Sequence, residues 1–338
     1  MRKFPVGSKR GLLVALAALG VVLLSSCATN APQDFLNHPE GPAAVSADHL
    51  WNATFLIAAV IFFVVEGLLI FAIIRFRERP GREAAQFHGN TKVEVLLTAV
   101  PALILAGLAI PTVRTIFDLA QRPDNALNVT VTARQFWWEF DYSDNDVITA
   151  NVLHIPVDKP VYLTLNGEDV IHSFWVPRLA GKQDVVPGRT NQLTIEAPHP
   201  GVYYGQCTEY CGLSHANMRI RVIADSPSDF DAWLAEQQQP AETPTDPTAA
   251  EGQKVFLQGP CINCHAIEGT DAQARVGPDL THFASRQWFA GAMFENTPEN
   301  VSAWLADPPA VKPGSKMPDY GLSSDDIQKL VAYLESLK

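Results

Sequence analysis

Hydrophobic and polar positions divide this chain into regions of different periodicity. Two apolar runs come first, at residues 50–74 and 95–113. The first run is long enough to cross the ~30 Å hydrocarbon core of a bilayer. Pro101 and Pro111 interrupt the second run, which is still adequate for a span because membrane helices tolerate proline where neighbouring groups satisfy the freed carbonyls. The pattern predicts a transmembrane helical hairpin over residues 50–118.

Alternating apolar and polar positions follow over residues 126–225, where short β-like runs such as residues 128–142 are separated by turn residues. This density of alternation and turns predicts a Greek-key β-sandwich or small barrel. Residues 236–250, which read EQQQPAETPTDPTAA, have little to bury and predict a linker. Helical periodicity returns in residues 251–338, which predicts a small all-α domain. Its last helix is expected to be capped by Ser323 or Ser324.

The length of the chain indicates how many domains it forms, and the distribution of charge indicates its orientation in the membrane. A chain of 338 residues is expected to form two or three domains, and a net charge of -11 argues against a nucleic-acid partner. Residues 28–49 contain no lysine or arginine, whereas the segment between the two apolar runs carries several. Because positive charge is retained on the cytoplasmic side, everything after about residue 118 is predicted to lie outside the cytoplasm.

The N-terminus has the features of an export signal. Basic residues and an apolar stretch precede Leu24-Ser25-Ser26-Cys27, which resembles a bacterial lipoprotein signal. The resemblance implies that residues 1–26 are removed, that Cys27 carries lipid on its sulfur, and that residues 27–49 form an exterior segment. The alternative is an uncleaved membrane anchor with an incidental cysteine.

A CxxCH motif in the C-terminal region indicates covalently attached haem. Cys261 and Cys264 are spaced to form thioethers with the two vinyl groups of one haem, and the adjacent His265 can reach the iron. Met317, in a Pro-flanked loop before the last helix, is the expected sixth ligand, with Met293 as the alternative. Histidine and methionine ligation closes the iron to exogenous ligands and indicates electron transfer. Residues 251–338 resemble a class I cytochrome c throughout.

A second cluster of soft ligands is the stretch GQCTEYCGLSHANM, which contains Cys207, Cys211, His215 and Met218. Outside the cytoplasm a disulfide between the two cysteines is one reading, but it would leave the histidine and the methionine without a role. Zinc is a second reading, although a zinc site would not recruit a thioether. Copper accounts for the whole set, because thiolate, imidazole and thioether all suit a metal that alternates between Cu(I) and Cu(II).

The same stretch resembles the Cys-x-Glu-x-Cys-x3-His-x2-Met motif of the binuclear copper centre, CuA, in cytochrome c oxidase subunit II. In that family both thiolates bridge two coppers, and a further histidine lies upstream. The resemblance implies main-chain carbonyl ligation by Glu209, whose carboxylate would also reach a Mg²⁺ ion at the boundary with the catalytic subunit. The side-chain ligands that it implies are His172, Cys207, Cys211, His215 and Met218.

The resemblance covers almost the entire chain, and the appended haem domain is similar to caa3-type bacterial oxidases. It implies a multidomain membrane protein with a two-helix hairpin, a cupredoxin-like Greek-key β domain and a class I cytochrome c domain on the exterior face of a bacterial cell membrane. It also implies an electron-input subunit that takes electrons from a cytochrome c or another exterior donor. These would pass through haem c and CuA to catalytic subunit I, which reduces O2 to water with proton pumping.

Three other functions remain as alternatives at this point. A copper-containing nitric oxide reductase would use the same input module with a different acceptor. A copper-storage or copper-delivery lipoprotein would have no use for CxxCH. A quinol oxidase subunit would share the hairpin and β domain but lack the copper ligands.

Two glutamates and one departure from the family pattern give separate expectations. Glu94 lies where the family suggests the mouth of a proton path, and the alternative is a solvated residue at the membrane boundary. Glu66 lies in the middle of a span, where an ionisable group is costly, so we expect it to contact another subunit. Gln135 is followed by Phe136, whereas oxidases fed by a separate cytochrome c usually have an exposed tryptophan at that position.

Overall fold

Two long helices form the first described part of the chain. The computed structural model describes residues 14, 20, 38–78, 80–81 and 88–338. Helix α1 is Pro42–Arg75 and helix α2 is Thr91–Leu119, and both are long and apolar enough to cross a membrane. At 34 residues, α1 is about 51 Å long. Both helices therefore extend beyond the predicted apolar runs.

Local sequence signals set where these helices begin. Pro42 occupies the first turn of α1, where its missing N–H leaves no hydrogen bond unmade. The Asn90 side chain accepts hydrogen bonds from two amides of the first turn and caps α2. Glu94 lies in that same turn, where the helix dipole favours a negative charge. Caps of this kind explain why the helices start outside the apolar runs.

The beginning of α1 contacts the β domain, which comprises the ten strands between residues 127 and 225. The amides of Glu40 and Gly41 both donate to the Arg178 carbonyl at 2.9 Å. The Glu40 carboxylate pairs with the Arg178 guanidinium and accepts a hydrogen bond of 2.5 Å from the Tyr203 hydroxyl. A side chain in place of the Gly41 hydrogen would collide with the Leu179 carbonyl. The membrane hairpin therefore packs directly against the β domain.

The β domain contains two five-stranded sheets. One sheet has the order β3-β2-β1-β5-β8 and the other β4-β10-β9-β6-β7. The strands are β1 Leu127–Arg134, β2 Trp137–Tyr142, β3 Val147–Ala150, β4 Val152–Pro156, β5 Val161–Gly167, β6 His172–Trp175, β7 Gln183–Val185, β8 Asn191–Ile195, β9 Gly201–Cys207 and β10 Arg219–Asp225. Two facing sheets of this kind agree with the predicted cupredoxin-like fold.

The core between the two sheets is built from alternating positions. Along β1 the burial alternates without interruption, as period-two patterning requires. Trp138 and Phe174 are fully buried and meet edge to face with their ring centroids 5.4 Å apart. Trp138 also lies 6.0 Å from the His172 ring. The aromatic core therefore reaches the residue that the sequence assigned to copper.

A tight turn at Gln135 and Phe136, here called the Phe136 turn, divides the run over residues 128–142 into two strands. β1 and β2 pair antiparallel across it, with Arg134 opposite Trp137. The turn contains no glycine or proline, so composition gave no signal for it. It is stabilised from outside, because the Gln135 amide donates to the Asp169 carboxylate at 2.6 Å.

The C-terminal domain follows a short helix and a connecting segment. Helix α3 is Pro227–Gln237, and helix α4 begins at Pro247, with Asp246 as its N-cap. Residues 238–246 lie between these helices, so the segment predicted as a linker overlaps a helix end on each side. The remaining elements are α4 Pro247–Gln258, β11 Trp288–Phe289, β12 Phe294–Glu295, α5 Pro298–Ala306, α6 Pro308–Val311 and α7 Ser324–Leu334.

Helix α7 carries the apolar stripe that the sequence predicts. Ile327, Leu330 and Leu334 are buried in one cluster with Phe256 of α4. The Ser323 hydroxyl accepts a hydrogen bond of 3.1 Å from the Asp326 amide, which identifies Ser323, not Ser324, as the cap. This helix pair forms one wall of the C-terminal core.

Candidate copper and haem sites

The candidate copper ligands converge at one end of the second sheet. Cys207 is the last residue of β9 and pairs in register with Phe174 of β6, the strand that His172 begins. The chain then loops through residues 208–217 and returns at Met218, whose carbonyl accepts the Cys207 amide at 2.9 Å. We call residues 207–218 the copper loop. Strand pairing and loop closure together place His172 beside both cysteines.

Distances between the donor atoms place all six predicted ligands in one cluster. The ligand atoms of His172, Cys207 and Cys211 lie within 4.8 Å of one another. The Cys207 sulfur is 3.9 Å from Nδ1 of His172 and 3.3 Å from the Glu209 carbonyl. The remaining contacts are to the Cys211 sulfur, at 3.6 Å from Nδ1 of His215 and 3.9 Å from Sδ of Met218.

The two cysteines are free thiols. Their sulfurs are 3.9 Å apart, far longer than the ~2.05 Å of a disulfide bond. Both residues are buried. Cys207 and Cys211 therefore do not form a disulfide bond in this structure.

Proximity couples the protonation of the two thiols. Hydrogen bonding to Cys211 lowers the pKa of Cys207 to about 4, with a further contribution from His172. The same neighbour, together with burial, raises the pKa of Cys211. One thiolate is thus easy to form and a second beside it is costly. Two adjacent sulfur anions would be stabilised by bound cations, and copper held by both sulfurs would supply that positive charge.

Asp169 orients the His172 ring and was not identified from the sequence. Its carboxylate accepts hydrogen bonds from Nε2 of His172 and from the Val170 amide, both at 2.7 Å, besides the Gln135 amide. Burial raises the pKa of Asp169, but the hydrogen bonds from His172 and the two amides outweigh it, and the net shift is downward. The carboxylate therefore stays ionised and leaves Nδ1 of His172 facing the sulfurs. A carboxylate on the far nitrogen is the usual support of a metal-bound histidine.

The haem-binding motif lies on the 3-10 turn Pro260–Asn263 and the residues after it. Nδ1 of His265 is 2.7 Å from the Pro278 carbonyl, which fixes the ring so that Nε2 is available as a ligand. Burial lowers the pKa of His265, which keeps the imidazole neutral. A Cβ atom at Gly277 would lie 2.6 Å from Cε1 of His265, so this position requires glycine.

Cys261, Cys264, His265 and Met317 all line one cavity of about 380 Å³. Met293 is not among its lining residues, which favours Met317 as the sixth ligand. The Trp304 indole N–H donates to the Met317 sulfur at 3.2 Å. A predominantly apolar cavity with thiols on one side and a thioether in its wall fits a covalently attached haem.

The haem cavity is not lined by the C-terminal domain alone. Phe136, Trp137 and Asp169 of the β domain also form part of its wall. Trp138, by contrast, is fully buried in the β-domain core. The aromatic run of residues 136–138 therefore serves two purposes, with its first two members facing the haem cavity.

Comparison with known proteins agrees with this geometry. The family described as "Cytochrome C oxidase subunit II, transmembrane domain" matches residues 30–115, its periplasmic-domain counterpart matches residues 147–225, and the cytochrome c family matches residues 249–338. Cytochrome c oxidase subunit 2 of Alkalihalophilus pseudofirmus is 39% identical over 309 residues, covering 89% of this chain and 90% of the relative. The chain belongs to the cytochrome c oxidase subunit II family.

Two further members of the family are similar to all or part of this chain. The subunit 2 of Bacillus subtilis is 35% identical and is covered over 98% of both chains. The crystal structure of the periplasmic domain of subunit II from Bradyrhizobium japonicum is 30% identical, with a TM-score of 0.34, and covers 35% of this chain and 97% of that one. In this family CuA and haem c are the cofactors of the two exterior domains, and the subunit works within a haem-copper oxidase.

These findings decide between the functions left open by the sequence. The matches support the oxidase and not the nitric oxide reductase or the copper-storage lipoprotein. The hairpin anchors the subunit in the membrane with both metal domains on the outer face. Cys27 lies outside the described residues, so its lipidation remains a prediction. The proton-path role of Glu94 and the subunit contact of Glu66 also remain predictions.

Proposed function

We propose that this cytochrome c oxidase subunit II binds CuA through the side chains of five residues and the carbonyl of Glu209. The five are His172, Cys207, Cys211, His215 and Met218. The observation that carries the proposal is the pair of free sulfurs 3.9 Å apart, each with an imidazole nitrogen within 3.9 Å. When bound, CuA and the haem supply reversible one-electron oxidation and reduction. The Glu209 carboxylate, which is exposed, would be the ligand of a boundary Mg²⁺.

The haem of this proposal would be attached through Cys261 and Cys264, and His265 and Met317 would ligate its iron. The Pro278 carbonyl orients the histidine and the Trp304 indole orients the thioether. The apolar residues of the cavity wall would limit the access of water to the bound group. We propose residues 126–225 and 251–338 as the two functional domains, joined by residues 236–250, with residues 1–26 as a signal peptide and Cys27 as the lipidated residue.

The test uses the complete oxidase purified from membranes. We expect two coppers and one covalently bound haem per subunit II by elemental analysis and haem spectroscopy. The EPR spectrum should show one unpaired electron shared over two coppers. A mononuclear copper signal, or zinc in place of copper, would contradict the copper assignment. Subunit II that retains no haem after denaturing extraction would contradict the haem assignment.

A further inference from the structure

Two segments of the C-terminal domain contact the β domain close to the copper loop. The first is the hairpin over residues 288–295, where the Gly291 carbonyl accepts the Arg219 amide at 3.0 Å. The second is the turn over residues 312–314, where the Pro313 carbonyl accepts the Ser214 hydroxyl at 2.5 Å. A Cβ atom at Gly291 would lie 2.6 Å from the Asn217 carbonyl oxygen. The backbones of the two domains thus approach closely at the copper loop, which carries five of the six proposed copper ligands.

Lys312 lies at the centre of this contact. Only 4% of its surface is exposed, and its ammonium group donates to the Phe136 carbonyl at 2.7 Å and to the Ala290 carbonyl at 2.9 Å. The first acceptor belongs to the β domain and the second to the C-terminal domain. Within residues 38–78, 80–81 and 88–338, Lys312 forms no ion pair. Burying a lysine without an ion pair is costly, so the two hydrogen bonds to carbonyls must offset that cost.

The acceptor in the β domain connects this amine to the copper loop. The Phe136 ring packs against Gly212, where a Cβ atom would lie 3.1 Å from Cζ of the ring. The side-chain amide of Gln135 donates to the Cys211 carbonyl at 2.5 Å. Phe136 and Lys312 also line the haem cavity. Two hydrogen bonds and the backbone of the Phe136 turn therefore connect Lys312, in the wall of the haem cavity, to the Cys211 carbonyl in the copper loop.

We infer that Lys312 is the positioning residue that holds the C-terminal domain on the copper loop, bridging Ala290 and Phe136 so that haem and copper stay at a fixed separation. The inference rests on the proposed cofactor assignments. Docking is needed because the rate of electron transfer between two centres falls steeply with their separation. The connecting segment alone would allow the two domains to move apart. In the docked state an uncharged or charged amine can bridge both carbonyls, and no shorter or apolar side chain can do so. Loss of the amine removes this donor from the buried Phe136 carbonyl and from the half-buried Ala290 carbonyl.

The test compares Lys312→Met with Lys254→Met in the complete oxidase. Methionine keeps the length and most of the volume of lysine but donates no hydrogen bond. Lys254 is on the same domain, is 61% exposed and pairs only with Glu251 among the described residues, so its replacement removes the same charge away from the interface. Lys312→Gln, whose shorter amide can reach one carbonyl, provides a graded intermediate.

The first readout is amide hydrogen exchange of the peptide containing Arg219, whose N–H is bonded across the interface. We expect exchange to be roughly tenfold faster in Lys312→Met, as the loss of a buried bridging hydrogen-bond donor implies, intermediate in Lys312→Gln and unchanged in Lys254→Met. The second readout is the rate of electron transfer from haem to copper after rapid reduction, which should fall in the same order. Reduction of the haem by an external donor should be unchanged.

Equal exchange and equal internal transfer in all three variants would overturn the inference. Faster exchange together with an unaltered transfer rate would also overturn it, since docking would then not set the separation. If Lys312→Met fails to assemble, Lys312→Gln carries the same comparison. Hydrogen exchange reports docking whether or not the ligands are assigned correctly, whereas the EPR and haem spectra of the unmodified oxidase report the proposed function, so the two can fail separately.

Discussion

The copper loop and the haem cavity use protein structure in different ways. The copper donors of two neighbouring strands and one loop lie within hydrogen-bonding distance of one another, so the site is formed by local chain geometry. The haem residues are spread around a cavity of about 380 Å³, and part of its wall belongs to the other domain. The copper site is thus specified by short-range contacts, whereas the environment of the haem depends on how two domains are docked.

The strongest test of this difference between the two sites is to replace one of the two cysteines proposed to hold both coppers. We expect Cys207→Ser to remove the two-copper EPR signal and nearly all copper, because a hydroxyl is not an anion at neutral pH and does not bridge soft metal ions. Haem content and the haem spectrum should be retained. Thr208→Ala is the matched control, since the neighbouring Thr208 hydroxyl is buried without a partner among the described residues. Loss of haem together with copper would mean that the two sites are not built independently.

The corresponding change on the haem side is Met317→Leu. Leucine conserves volume but cannot ligate iron, so we expect a high-spin or exogenous-ligand-binding haem and a lower reduction potential. Met293→Leu is the control, because Met293 is not in the cavity wall. Redox titration with visible spectroscopy measures both variants. A normal potential in Met317→Leu and a lowered one in Met293→Leu would reverse the assignment.

A smaller effect is expected from the support of His172. Asp169→Asn keeps the size of the side chain but removes its charge. We expect copper affinity to fall by about 10- to 100-fold, as when other carboxylates that hydrogen-bond to a metal-bound histidine are replaced. Glu168→Gln is the control, because that carboxylate pairs with Arg134 and not with a ligand. Competition with a copper chelator measures the difference. Equal affinities would show that the Asp169 hydrogen bond does not stabilise the bound state.

Docking of the two domains should depend on pH through Lys312. Burial lowers the pKa of Lys312 to about 7, opposed by the nearby Cys211 and assisted by Arg219. The undocked amine has its ordinary, higher pKa and binds more protons above about pH 7, so raising the pH favours docking, by up to about tenfold per pH unit. Hydrogen exchange of the Arg219 amide, corrected for its intrinsic pH dependence, should show this slope in the unmodified oxidase and not in Lys312→Met.

The smallest expected effect concerns the helix that closes the haem domain. Ser323→Ala removes the cap of α7 and should lower stability by about 1 kcal/mol, or about 4–8 °C in the Tm of a domain of this size. Ser324→Ala should change little, because that hydroxyl is not the cap. Thermal unfolding followed through the haem absorbance distinguishes them.

Much of the site could be predicted because its ligands are close together in sequence. Cys207, Cys211, His215 and Met218 fall within one loop, and CxxCH is contiguous. The supporting residues could not be predicted in the same way. Asp169 and Lys312 act through backbone carbonyls, amides and a ring nitrogen that only the folded chain brings within reach. The Phe136 turn was hidden for the same reason, since a carboxylate and a lysine from distant segments stabilise it in place of glycine or proline.

The junction of Glu40, Arg178 and Tyr203 has a mechanical consequence. It joins the exterior end of α1 to strand β9 and to the turn that contains Arg178. The helix and the two sheets therefore tilt as one unit. When the bilayer becomes thinner than the apolar length of a helix, the helix responds by tilting. Membrane thickness can therefore change the tilt of the copper loop relative to the membrane, without any movement inside the loop itself.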